Sequence, residues 1–293
     1  MFAEAYKIVS SFTYPVVIST RHYNGTVNCA CGSFIFLNKN GWFLSAFHIM
    51  NSFLLFKKQR MAIQEYEEKA MKINNNSSLK PSQKRNKLKN LGYNPNWITN
   101  HSFWWGMDGL ILDGDLTAFP KGDLVIGKLT PFNPELISAY PRIKNPKSLP
   151  PGRNLCKLGF PFHEINAIFD DSTSAFRLTP GSIPIPRFPL EGIFTRTLVI
   201  KESTESEKSI KFIETSSPGL RGQSGGPIFD INGAIWGIQS HTKHFPLGFS
   251  PKLTRNGREI EENQFLNVGI GSHPETIVSF LEDNGIEFNE TKD

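Results

Sequence analysis

The sequence predicts an all-β protein, and three observations point that way. Turn-forming residues are scattered along the whole chain, with 24 Gly and 20 Pro among 293 residues, which suits many short strands better than long helices. Between the turns lie short runs of aliphatic and aromatic residues. An apolar content of 39% with 24 Phe is enough for a sizeable core, in a chain long enough for one large domain or two small ones.

Taken in order, residues 12–19 read as a first strand, entered through Pro15 at a position that a strand start tolerates. Cys31 to Leu37 reads as a second strand. Asn38-Lys39-Asn40-Gly41 reads as a hairpin turn, because Asn and Gly accept the backbone angles such turns demand. Trp42 to Ser45 is the third strand, and it leads into Ala46-Phe47-His48. The chain then changes character: Ser52 to Phe56 runs into a charged stretch to about Ile73 with no Gly or Pro, the pattern of a helix. Asn74 to Ser78 breaks it, and a second basic segment runs from Lys80 to Leu91. Asp123-Leu124-Val125-Ile126-Gly127-Lys128-Leu129 then sets an aspartate at the head of an aliphatic strand. Asp108-Gly109-Leu110-Ile111-Leu112 is a weaker copy of that pattern, with Asp113 and Asp115 close behind. Residues 131–152 carry Pro131, Pro134, Pro141, Pro146, Pro150 and Pro151 without sustained periodicity and read as a linker.

Strand patterning resumes at Leu155-Cys156-Lys157-Leu158-Gly159, while Pro184 to Leu190 reads as an irregular loop. Gly192 to Arg196, Lys211 to Thr215 and Leu266 to Gly271 are further strands. A helix opens at about 273 and stops at about 285: Ser272 suits the N-cap, Pro274 the first turn and Gly285 the stop. The most informative stretch is Gly222-Gln223-Ser224-Gly225-Gly226-Pro227. Glycines tolerate positive φ, so a serine between them can stand on a tight turn with its hydroxyl exposed. The same turn can aim the amides of Gly222 and Ser224 at one point, where they would stabilise the oxygen charge that develops when a carbonyl is attacked.

This stretch, followed by Ile235-Trp236-Gly237-Ile238-Gln239-Ser240, resembles the nucleophile strand of the trypsin/chymotrypsin family of serine peptidases, most of all its disulfide-poor bacterial members. The resemblance implies two antiparallel six-stranded β-barrels: residues 1–130 as the first, with a helical insertion at about 51–91, 131–152 as the linker, and 153–293 as the second, ending in a helix. It also implies a catalytic triad in the chain order His, Asp, Ser. His48 matches the histidine, because Ser45-Ala46-Phe47-His48 follows a turn and an aliphatic strand. His22, His101, His163, His241, His244 and His273 lack that frame. Asp123 is the aspartate, with Asp108 the alternative, and Ser224 the nucleophile. The implied reaction is peptide hydrolysis through an acyl-enzyme, with the amides of Gly222 and Ser224 as oxyanion hole and no cofactor or metal. Ser217, Pro218, Gln239, Ser240 and His241 would wall the primary substrate pocket. None of them is acidic, so Lys or Arg would find no counter-charge there, and Gln239 and His241 suit a polar or acidic residue. Gln223 stands where secreted members carry the aspartate that pairs with a freed N-terminus, so that route of activation is not expected.

Composition narrows the partners. The net charge of +5 is concentrated between Lys57 and Lys89, where ten Lys or Arg face Glu65, Glu67 and Glu68. Aromatic interleaving for base stacking is nearly absent there, which argues against nucleic acid and for a solvated insertion that could dock a regulatory protein. A nucleic-acid-binding insertion stays as the alternative. No signal-peptide pattern and no run of about 18 apolar residues occurs, so no membrane is expected. Cys29, Cys31 and Cys156 are the three cysteines, and a reducing cytoplasm is the simpler setting. Cys29-x-Cys31 with His241-x-x-His244 is too sparse a set to read as zinc-binding. The expectation is a regulated intracellular peptidase with few protein substrates. Its rival is a binding module that kept the fold and lost turnover.

Overall fold

A computed structural model of the chain describes residues 1–147, 149–201 and 209–292. Helix α1 (Ala3–Phe12) precedes strands β1 (Thr13–His22), β2 (Val27–Phe36) and β3 (Trp42–Ser45). Helices α2 (Phe47–Asn75) and α3 (Pro81–Lys89) follow, then β4 (Ile98–Trp104), β5 (Ile111–Phe119) and β6 (Leu124–Thr130). The second half holds β7 (Arg142–Ile143), β8 (Asn154–Gly159), β9 (Ala167–Asp170), β10 (Ala175–Leu178), β11 (Phe188–Lys201) and β12 (Ser209–Thr215). It continues with β13 (Pro227–Phe229), β14 (Ala234–Pro246), β15 (Lys252–Arg255), β16 (Arg258–Glu261), β17 (Phe265–Ser272), α4 (Pro274–Asp283) and β18 (Asn289–Glu290).

The predicted all-β class holds. Strands β4-β1-β2-β3-β6-β5 form one curled six-stranded sheet. In the second sheet, β13-β8-β11-β12-β17-β14 closes on itself through an added β13–β14 pairing, and β7 and β18 extend it in parallel beyond β14. Curling lets alternate side chains of every strand point inward. The first sheet encloses a stack of rings, in which Phe34 lies 5.1 Å from Phe36, 5.5 Å from Phe43 and 5.5 Å from Trp105, centroid to centroid. Such edge-to-face contacts add specificity to the area they bury.

The helical insertion begins earlier than the sequence indicates. Helix α2 starts at Phe47, so His48 sits in its first turn. Its inner face is marked by Ile49, Ser52, Phe53, Phe56, Gln59, Ile63, Tyr66 and Ala70, all half-buried at helical spacing. Phe53 and Phe56 pack on His101 of β4, and Oε1 of Gln59 accepts the Ile98 amide at 2.8 Å. Tyr66 closes a ring cluster with Tyr23, Tyr93 and Trp97. The insertion is therefore fastened along β4, and its basic residues lie on the outward side. Burial among Phe53, Phe56 and Phe103 drops the imidazole pKa of His101 to about 4.

Four local expectations need correction. The sequence reading places no element before residue 12, yet α1 buries Ala5, Val9 and Phe12 on one face, and Phe12 ends this helix rather than opening β1. Pro184 to Leu190 is only partly a loop, since β11 begins at Phe188 and pairs with Gly159 of β8. The expected linker contains β7, which pairs with β14; Ser148, within it, lies outside the described residues. The N-cap of α4 is His273, whose Nδ1 accepts the Glu275 amide at 3.1 Å, while Ser272 turns its hydroxyl to the Gly122 carbonyl at 2.7 Å.

Candidate active site

The geometry around His48 is set by a left-handed aspartate. Pro120 to Gly122 form a single 3₁₀ turn, and Asp123 caps it at φ +51°, a conformation that Asp accepts more readily than most residues. That turn points the Asp123 carboxylate at the start of α2. Oδ1 accepts the backbone amide of His48 at 2.9 Å, and Nδ1 of His48 stands 2.9 Å from Oδ2. The contact fixes the tautomer: Nδ1 carries the hydrogen, which leaves Nε2 free to accept one. Ser240 donates its hydroxyl to the same Oδ2. Burial opposes ionisation of Asp123, but the hydrogen bonds and charge of His48 and the hydroxyl of Ser240 outweigh it and hold the carboxyl below its ordinary range.

The rival aspartates are all occupied elsewhere. Asp108 is exposed and accepts Trp104 Nε1–H at 2.8 Å. Asp113 lies 3.6 Å from Lys128, and Asp115 pairs with Lys57.

Ser224 stands on the turn between β12 and β13. Gly222 (φ +95°) and Gly225 (φ +83°) provide the two left-handed positions that turn needs. A Cβ on Gly225 would run into the Ser33 carbonyl and the Ser45 hydroxyl. The turn is held from the first sheet: Ser33 donates its hydroxyl to the Gly222 carbonyl at 2.6 Å and its amide to the Ser224 carbonyl at 2.8 Å, and Ser45 donates to the Ser33 carbonyl at 2.7 Å. Phe160 also donates its amide to the Gly222 carbonyl, at 3.0 Å. With these carbonyls engaged, the amides of Gly222 and Ser224 have no acceptor among the described residues. Gln223 is fully buried, and its Oε1 accepts the Leu220 amide at 3.0 Å. The Ser224 hydroxyl is donated to the Ser240 carbonyl at 3.2 Å.

His48 and Ser224 border one cleft, together with Pro218, Gly219, Leu220, Arg221, Ser240, His241, Thr242, His244 and Asn267. Of the residues expected to wall the primary pocket, Pro218, Ser240 and His241 border this cleft. Ser217 and Gln239 are placed differently. Ser217 turns both its hydroxyl and its carbonyl to the ammonium of Lys157, at 3.1 Å for the hydroxyl. Gln239 is buried behind Gly219 and donates Nε2 to the carbonyls of His241 and Ile270, each at 3.1 Å.

Four residues that sequence reasoning passed over support this site. Ser33 and Ser45 are buried hydroxyls in strands with otherwise apolar inward faces, and that misfit was their only trace in the sequence. Arg221 stands just before the Gly-rich turn. Lys157 is a lysine inside the aliphatic run Leu155 to Leu158, only 1% exposed, and burial depresses its pKa to about 7. Among the described residues no group of three His, Cys, Asp or Glu side chains is placed to hold a metal ion. The three cysteines are unpaired, and burial pushes the Cys31 thiol up to about 12.

No protein-family model matches the sequence, and no curated protein matches it at significance. Among solved structures, the HtrA-type protease AlgW, in an alanine-substituted form with a tripeptide, has a TM-score of 0.50 at 12% identity, over 97% of this chain and 63% of that chain. The same protease with a decapeptide has a TM-score of 0.49 at 12% identity, over 97% of this chain and 68% of that one. The chain thus spans less than two thirds of the length of the first of these neighbours. At such identity the likeness is one of fold alone, the fold that this chain shares with that HtrA-type protease.

Proposed function

We propose that the protein is a serine endopeptidase with Ser224 as nucleophile, His48 as general base and acid, and Asp123 as the group that orients and charges His48. The observation that carries this reading is the pairing of His48 Nδ1 with Asp123 at 2.9 Å while His48 and Ser224 border one cleft. In this reading the Ser224 hydroxyl rotates from the Ser240 carbonyl towards His48 Nε2, a change between staggered rotamers. His48 takes the proton as Ser224 attacks a peptide carbonyl, the amides of Gly222 and Ser224 receive the oxyanion, and His48 returns the proton to the leaving amine. Water then releases the acid product by the same route. Residues 1–130 and 153–293 act as the two barrel units, joined by 131–152. The HtrA-type neighbour is a protease solved with a tripeptide, which supports a peptide or protein substrate here. The enzyme is cytoplasmic and restricted to few protein substrates, and the insertion at 51–91 chooses among them by docking a protein partner.

A fluorophosphonate probe tests the reading. Labelling at Ser224, abolished in Ser224→Ala and in a guanidinium-denatured control, is the expected result; absence of labelling together with absence of peptide cleavage overturns it. A second reading, a binding module without turnover, draws on the Ser224 hydroxyl being donated to the Ser240 carbonyl. It requires peptide retention by the unmodified protein without cleavage.

A further inference from the structure

The one fixed charge lining the cleft beside Ser224 is positive, that of Arg221. Among the described residues the ionisable side chains that line the cleft are His48, Arg221, His241 and His244, and no carboxylate does. Asp123, the nearest acid, is engaged by His48 and Ser240. Among the described residues Arg221 has neither an ion pair nor a hydrogen bond, and its side chain is exposed at the cleft.

A second basic side chain lies directly behind the wall. Lys157 reaches from β8 to the segment that forms one side of the cleft, donating to the carbonyl and hydroxyl of Ser217 and to the carbonyl of Pro218 at 3.0 Å. Gly269 leaves room for it, since a Cβ there would meet Lys157 Nζ. Among the described residues no carboxylate pairs with this ammonium, although a buried cation without counter-charge is costly. Because the carbonyls of Ser217 and Pro218 turn inward to Lys157, they offer nothing to a positively charged side chain in the cleft. The Gly219 carbonyl is likewise taken, by Thr242 at 2.6 Å.

We propose that this cleft selects an acidic side chain in the residue whose carbonyl is attacked, with Arg221 and Lys157 as its specificity-determining residues. The proposal rests on the peptidase reading above and names its substrate class: polypeptides cut after Glu or Asp. Arg221 meets the carboxylate directly from the rim. Lys157 acts through the wall, holding the main-chain acceptors of Ser217 and Pro218 out of the cleft.

The test uses four peptide pools with a central residue fixed as Glu, Gln, Lys or Leu, flanked by mixed positions from which Asp and Glu are left out. Cleavage after the fixed residue is counted by mass spectrometry with the unmodified enzyme, and retention of each pool is measured on immobilised Ser224→Ala protein. Expected is a preference for the Glu pool over the Gln pool of about tenfold or more, the size of one charge-assisted hydrogen bond. Arg221→Gln and Lys157→Met should each bring that ratio towards one, and Arg221→Glu should turn the preference to the Lys pool. Arg221 is exposed, so its variants fold even where Lys157→Met does not. Equal cleavage and retention of the Glu and Gln pools, or a ratio unmoved by the Arg221 variants, overturns the proposal while leaving the peptidase reading intact. Absence of cleavage in every pool counts against the peptidase reading instead, and retention on Ser224→Ala protein then decides the charge preference alone.

Discussion

The hydroxyl of Ser240 donates to Oδ2 of Asp123, the same oxygen that stands 2.9 Å from Nδ1 of His48. Ser240 belongs to β14 of the second sheet and Asp123 to the head of β6 in the first, so this bond ties the two sheets together at the site. Nδ1 of His241 lies 2.9 Å from the same hydroxyl. With Ser240 donating to Asp123, His241 donates to Ser240, and the chain of hydrogen bonds ends on the carboxylate.

Graded losses along this chain are the first expectation. Asp123→Asn should cut turnover by about 10⁴-fold, because it favours the wrong histidine tautomer. Ser240→Ala removes one hydrogen bond to a charged group, a loss of about 1.5–3 kcal/mol and so of about ten- to a hundredfold in turnover. Asp108→Asn leaves the Asp123 contacts in place and should stay close to the parent. Steady-state kinetics on one peptide order the three variants; a collapse in Asp108→Asn with near-normal Asp123→Asn would move the assignment to Asp108.

Gly225→Ala should damage both stability and labelling. Its φ of +83° and the Ser33 carbonyl and Ser45 hydroxyl in the path of a Cβ leave no relaxed geometry. Strain of this kind costs about 1–3 kcal/mol, and a chain of this size loses roughly 2–4 °C in Tm for each kcal/mol. A thermal melt and a fluorophosphonate time course check it, and an unchanged melt with full labelling would refute the account of the turn.

Lys157 makes stability depend on alkaline pH. Burial holds its folded pKa at about 7 against an ordinary 10.5. Between those values the unfolded chain binds a proton that the folded chain does not, so this group contributes stability that rises with pH from about 7 to 10.5 and is flat below 7. The charged or titratable neighbour is Cys156, whose thiol burial pushes up to about 11. Chemical denaturation across that range should show a shallower rise in Lys157→Met than in the parent, and parallel curves would show that Lys157 does not titrate there.

Shortening the insertion tests its role without disturbing its anchor. Replacing residues 68–91 with a Gly-Ser loop keeps Gln59 on Ile98 and the rings of Tyr23, Tyr66, Tyr93 and Trp97 together. Short peptides should still be cut. The set of proteins cleaved in cells, read from new N-termini, should change; an unchanged set would remove the insertion from substrate choice.

Much of the molecule was legible in the chain because it is encoded locally. The all-β class followed from short apolar runs between turn residues, and the turn around Ser224 from glycines that alone tolerate its φ angles. The half-buried stripe from Ile49 to Ala70 kept helical spacing that a charged stretch without Gly or Pro had already suggested. The pairing of His48 with Asp123 was a different matter: motif order named both, yet only the packed sheets bring residues 75 positions apart within 2.9 Å. Tertiary structure alone decided that Ser33 and Ser45 hold the turn of Ser224, that Ser217 faces inward, and that Lys157 lies behind the cleft wall. Each depends on contacts between strands distant in sequence, where the polarity of a side chain says that it needs a partner but not which one.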